Sequence, residues 1–146
     1  MATRYHRVNQ DGSSLGAYLN GDTRCAVLAA ANYAGSFVKL TAGKFAAAGL
    51  VDPGTTQLWI LDEHSLTGQA IDAQIASGET ATGHYVTEGR LFAVRCAAGA
   101  YVEGVRVYLT AAGLGTVTAG TDAVAVGYAK ETVTLAGVDY VLVQVK

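Results

Sequence analysis

From residue 36 onward, short stretches of alternating apolar and polar positions recur, each closed by glycine. SFVKL, Ser36 to Leu40, sets Phe37 and Lys39 against Val38 and Leu40, the period of a half-buried strand. QLWIL, Gln57 to Leu61, predicts a strand with the single tryptophan near its centre. TATGHYVT and RLFAVRC, parted by Glu88-Gly89, predict a hairpin with Tyr85, Leu91, Ala93 and Val94 contributing core. VEGVRVYLT, DAVAVGYA and DYVLVQV predict further strands, the last two separated by a turn at Ala136 to Asp139. Short strands between glycine turns spaced about 8 to 12 residues apart indicate an all-β fold, a small β-barrel or β-sandwich.

Three stretches fit that pattern less well. CAVLAAANYAG, Cys25 to Gly35, suits either a short helix or an irregular entry strand. TAGKFAAAGLVDPGTT carries three glycines and the only proline, so it is mainly loop, with a turn at Pro53-Gly54. In DEHSLTGQAIDAQIASGE, Ser65 is placed to cap a short helix over 65–77. Leu66, Ala70, Ile71 and Ile75 share one face and Gly78 ends it, although Gly68 inside weakens the pattern.

One phrase occurs twice. Val38-Lys39-Leu40-Thr41-Ala42 aligns with Val107-Tyr108-Leu109-Thr110-Ala111, glycine follows each, and Glu63 and Glu131 close the two stretches downstream. The spacing predicts two similar β units and a scaffold role for the phrase, since a small domain does not usually carry its active site twice. Two copies fall short of the three or more repeats a solenoid needs.

The first 24 residues, MATRYHRVNQDGSSLGAYLNGDTR, are polar and glycine-punctuated, with no sustained period. They predict an extended arm over 1–24 that an external surface orders, or else a plain disordered tail, ahead of one β-rich domain over 25–146. The opening residues lack the apolar run of a signal peptide. No window of the sequence approaches the length of a membrane-spanning helix.

Composition sharpens the question of partners. Hydrophobic residues make up 51% and charged residues 15%, against about 25% charged in typical soluble domains. Much of the apolar share is alanine, yet a surface this poor in charge predicts partial burial against a partner. The net charge is −2 and the basic residues are scattered, the nearest cluster being Arg4, His6 and Arg7. That disfavours nucleic acid, which needs a concentrated positive field. Cys25 and Cys96 lie far apart and predict two buried thiols in a reducing compartment, with one disulfide as the alternative.

Candidate chemistry is sparse. His6, His64 and His84 lack zinc-site spacing. Asp62, Glu63 and His64 are consecutive, so on a strand they alternate faces and predict a solvated strand end rather than a metal site or proton relay. Cys96 and His84 sit on opposite arms of the expected hairpin, but no orienting carboxylate or amide is near, and Cys96 reads first as a small hydrophobe. GLGTVTAG has neither the lysine nor the spacing of a phosphate loop. Tyr85, Tyr101, Tyr108, Tyr128 and Tyr140 leave open a stacking platform for sugars, and with it a glycan-binding (adhesion) module as the alternative function.

The order SFVKL, glycine loop, WILDE, then IASGE, AAGAYVEGVRVYLTAAG and VGYAKETVT before a valine-rich last strand resembles tailed-bacteriophage capsid decoration (cement) proteins. The resemblance spans about Ser36 to Val145; residues 1 to 35 do not share the pattern. It implies a small barrel or β-tulip-like domain, no catalysis, no cofactor and no metal. It also implies the major capsid protein as partner, self-association as a trimer or dimer, and residence on the capsid exterior after folding in the host cytoplasm. The arm would then be capsid-facing, through Tyr5, His6, Arg7 and Tyr18. Such a clip works by adding interface that must break before the shell does, each contact needing about 1,000 Å² to be specific and gaining from repetition.

Overall fold

A computed structural model describes Tyr5, Val8, 23–63 and 70–146. The described chain is all-β in class, with strand over 47% of it and almost no helix, as the alternating pattern predicts. Among the described residues, fourteen strands fall into two groups of seven. The N-terminal group comprises β1 (Thr23–Val27), β2 (Asn32–Tyr33), β3 (Phe37–Thr41), β4 (Lys44–Ala47), β5 (Trp59–Leu61), β6 (Gln74–Ile75) and β7 (Thr80–Tyr85). The C-terminal group comprises β8 (Leu91–Cys96), β9 (Gly99–Tyr101), β10 (Arg106–Leu109), β11 (Gly115–Thr116), β12 (Gly127–Ala129), β13 (Val133–Leu135) and β14 (Asp139–Val145).

The two groups share one topology. The C-terminal strands form a closed barrel in the order β10-β11-β8-β14-β12, and β9 pairs with β13 as a separate ribbon. The N-terminal strands form a five-stranded sheet in the order β1-β7-β5-β3-β4, and β2 pairs with β6 as its ribbon. A parallel bridge between Leu28 and Phe45 joins the two edges of that sheet. It stands where the parallel pair Gly115–Cys96 closes the second barrel. Registers correspond as well: Val38 opposes Trp59 as Val107 opposes Gly127, and Leu61 opposes Gly83 as Ala129 opposes Val143. The repeated phrase therefore marks a duplication: β3 and its turn into β4 correspond to β10 and its turn into β11.

Each unit is filled by its own inward residues. Leu28, Val38, Phe45, Trp59, Leu61, Ile75 and Ala81 pack in the first. The larger cluster joins Phe92, Val94, Cys96, Val107, Leu109, Val141 and Val143 of the second unit to Val8, Ala34, Phe37, Ala48 and Ile60. Phe37 and Val38 are both buried although they are neighbours on one strand. Val38 points into its own barrel and Phe37 into the seam between the units.

Several expectations are corrected. β7 and β8 are not a hairpin, because β7 pairs with β1 and β5 while β8 pairs with β14 and β11. Glu88-Gly89 is the turn between units, and local patterning carries no information about which distant strand supplies the partner edge. The stretch expected to be mainly loop contains β4, paired with β3 from Val38–Ala47 to Thr41–Lys44, followed by a 3-10 turn at Asp52–Gly54. Asp52 fixes that turn by accepting from the Gly49 N–H at 2.6 Å and pairing with Lys39 at 3.0 Å. Of the helix expected over 65–77, residues 65–69 lie outside the described residues; Gln74–Ile75 is strand β6, paired with β2, and Ile75 is buried. The alternatives for Cys25 to Gly35 resolve as strand, and β1 begins at Thr23, so the expected boundary at 24/25 falls inside an element.

Candidate functional site

The N-terminal residues were expected to lack internal partners, and at two positions they have them. Val8 is fully buried in the larger cluster. Its N–H donates to Glu63 Oε2 at 3.1 Å, and its carbonyl accepts the Ala93 N–H at 2.8 Å. Tyr5 packs against the same cluster and donates its hydroxyl to Glu131 Oε1 at 3.0 Å. Glu131 Oε1 also accepts the Leu142 N–H at 2.9 Å. Glu63 and Glu131 thus occupy corresponding strand ends, one per unit, and each holds a residue of the N-terminal segment. The acidic pair was legible as a repeat in the sequence; its role as a clamp was not. His6, Arg7 and Tyr18 lie outside the described residues.

The Asp62–Glu63 strand end is not solvated. Asp62 is buried, with Oδ2 3.0 Å from His84 Nε2, and His84 is wholly enclosed. The Glu63 carboxyl is pushed up to about 8, chiefly by burial and further by the adjacent Asp62. His64 lies outside the described residues. Among those residues no group of three or more His, Cys, Asp or Glu side chains is placed to hold a metal ion. Glu63 here anchors a backbone N–H of the N-terminal segment, and the buried Asp62–His84 pair lies beside it.

Cys96 and His84 belong to different barrels. Cys96 is buried and its thiol is pushed up to about 12 by desolvation. Cys25 is a free thiol too, but exposed, which corrects the expectation of two buried thiols. The tyrosines divide likewise. Tyr101 is interior and donates to the Ala97 carbonyl at 2.8 Å, and Tyr140 is buried at the seam. Tyr85, Tyr108 and Tyr128 remain half-buried.

The seam is the most built surface of the molecule. Tyr140 donates its hydroxyl across it to the carbonyls of Ala34 and Ile71, both at 2.7 Å. Arg95 lies over the Tyr33 ring at 3.5 Å. Among the described residues, three backbone hydrogen bonds join the two units: Arg95 N–H to Gly35 at 2.9 Å, Phe37 N–H to Gly113 at 3.0 Å and Val124 N–H to Leu50 at 3.1 Å. These polar contacts at an apolar junction fix the units in one register, since a slip would strand buried donors. In the N-terminal unit, Thr23, Arg24, Gln57, Trp59 and Tyr85 line a shallow depression.

No protein-family model matches this chain, and no curated protein sequence is significantly similar to it.

Proposed function

We propose that this chain is a structural protein that binds the outside of an assembled phage head and reinforces it against the pressure of the packaged genome. The observation that carries the reading is where the resembling phrases fall. AAGAYVEGVRVYLTAAG and VGYAKETVT span β9, β10 and the strand ends of one barrel, and the other barrel repeats the same topology. A closed barrel and a five-stranded sheet of the same strand order, locked through a polar-pinned seam, give a stiff double module, which suits a clip loaded mechanically by the capsid beneath it. The low charge of the chain suits a protein that spends its life against another surface. In this role it is not an enzyme, its partner is the major capsid protein, and its place is the capsid exterior.

Co-sedimentation with purified expanded heads of a tailed phage tests the reading. Binding is expected to assembled heads and not to unassembled capsid protein; a chain that stays in the supernatant with heads overturns it. The capsid-facing assignment of the N-terminal segment is best tested by substituting His6, Arg7 and Tyr18 together. Deleting the whole segment would also remove Val8 from the core and confuse binding with folding.

A glycan-binding module is the second reading, favoured by the depression that places Tyr85 and Trp59 beside Arg24 and Gln57. Aromatic faces next to polar side chains suit a sugar ring. A glycan-array signal abolished by Tyr85→Ala would favour it over head binding.

A further inference from the structure

The duplication gives every surface of one unit a counterpart on the other, and the seam uses one face from each. The N-terminal unit contributes the turn from Ala34 to Phe37, all four residues buried. The C-terminal unit contributes the outer edge of β8 and the Gly113 turn. The counterparts of both faces carry exposed residues. On the C-terminal unit the matching turn is Glu103 to Arg106, with Gly104 at φ 89° as Gly35 is at φ 82°. Glu103, Gly104 and Arg106 are exposed, and Val102 beside them is 54% exposed. On the N-terminal unit the matching face is the outer edge of β1 with the Gly43 turn. Cys25 is exposed where Ala93 is buried, and Thr80 is exposed where Tyr140 is buried.

Gly43 and Gly113 make the contrast sharpest. Both are left-handed, at φ 77° and 79°. A Cβ on Gly113 would strike the Phe37 carbonyl oxygen, whereas a Cβ on Gly43 would meet nothing within 4 Å. The same holds for the other pair: a Cβ on Gly35 would strike Tyr140, and one on Gly104 would meet nothing.

We propose that a second copy of this chain docks head to tail, the exposed turn of its C-terminal unit seating on the β1 edge and Gly43 turn of the first. The contact repeats between copies the seam that joins the units within one. Within the chain, Arg95 N–H donates to Gly35 and Phe37 N–H to Gly113. Between copies, Val27 N–H donates to the Gly104 carbonyl and Arg106 N–H to the Gly43 carbonyl. The edge is oriented for this. Leu28 donates to Glu79 on the β7 side, so the alternating pattern of an antiparallel pair turns the Val27 N–H outward. Among the described residues, neither of those N–H groups nor either carbonyl takes part in a backbone hydrogen bond outside the strand ladders.

Side chains set the strength of the contact. Where the seam buries Ala34 and Phe37, the turn of the second copy carries Glu103 and Arg106; the receiving face carries exposed Arg24 and Lys44. The copy–copy contact is therefore more polar than the seam, and its association is reversible. Because the two surfaces differ, it is a heterologous contact, which closes into a ring or continues as a chain of copies. The proposal concerns contacts between copies and stands apart from head binding; either can fail without the other.

The test is sedimentation velocity over a concentration series, with amide hydrogen exchange at both ends of it. The wild type is expected to sediment faster as concentration rises, with the Val27 and Arg106 amides becoming protected in step. Gly43→Asn keeps a residue that tolerates the left-handed region and meets nothing within one chain, but obstructs the docked turn. It should weaken association about tenfold or more, with near-ultraviolet circular dichroism unchanged. Gly137→Asn, at another open glycine outside both faces, should associate like the wild type. Three results overturn the proposal: a wild type monomeric at millimolar concentration, Gly43→Asn associating as the wild type does, or concentration-independent protection of Val27 and Arg106. The last would mean that residues 9–22 of the same chain cover the face. The exchange measurement uses the wild type alone, so the proposal stays falsifiable if Gly43→Asn folds poorly.

Discussion

The two units share a topology and differ in what their matching surfaces meet. In the C-terminal unit, the β8 edge, the Gly113 turn and Tyr140 are sealed against the other half. In the N-terminal unit, the β1 edge, the Gly43 turn and Thr80 face outward. Sequence divergence follows that difference. Tyr140, whose ring and hydroxyl both find partners at the seam, corresponds to Thr80, a small polar residue suited to an exposed strand position. Phe37, buried at the seam, corresponds to exposed Arg106. A duplicated fold keeps its registers because each barrel must close. Its surfaces are free to diverge because burial is decided between units.

The largest expected effect tests that asymmetry directly. Tyr140→Ala removes a buried ring and two hydrogen bonds across the seam, and should cost about 3–5 kcal/mol in chemical denaturation. Thr80→Ala, at the matching position, should stay within about 0.5 kcal/mol. Equal costs would mean that the two positions are equally buried in solution, and that the β1 edge is already covered.

A smaller effect separates the two acidic clamps. The Glu63 carboxyl, held up to about 8 in the folded chain against an ordinary value of 4.5, keeps its proton better folded than unfolded. The stabilisation is complete below about pH 4.5 and is lost as pH rises through about 8. Thermal denaturation at pH 5 and pH 8.5 should show the wild type losing more stability across that interval than Glu63→Gln, which keeps an acceptor for the Val8 N–H but does not titrate. Parallel pH profiles for the two proteins would refute the clamp as described.

The smallest effect leaves stability untouched. Cys25 should react with a thiol reagent in the native protein, and Cys96, buried and with its thiol pushed up to about 12, only on unfolding. Mass spectrometry of the alkylated chain reads both sites, and native labelling of Cys96 would show that the second barrel opens.

Much of the fold was legible locally. The strands at Phe37–Thr41, Trp59–Leu61, Arg106–Leu109 and Asp139–Val145 follow from alternation and β-branched content. The repeated phrase with its closing acidic residues announced two units. The expected hairpin of TATGHYVT and RLFAVRC failed because two adjacent strands with a short glycine turn look the same whether they pair with each other or leave for different barrels. The arm failed at Val8 and Tyr5 because a single buried apolar residue in a polar stretch has no period to reveal it.

The sequence by itself determined where many of the strands and turns lie, since these depend on side-chain alternation and on glycine's access to positive φ, both local properties. Only the tertiary structure decided which strand edges meet, that Glu63 and Glu131 grip the N-terminal segment, and that one set of faces is sealed while its counterpart is open. Those outcomes depend on hydrogen bonds and burial between residues far apart in the chain. Near-identical local phrases such as Val38 to Ala42 and Val107 to Ala111, which differ only at Lys39 and Tyr108, therefore end in different surroundings.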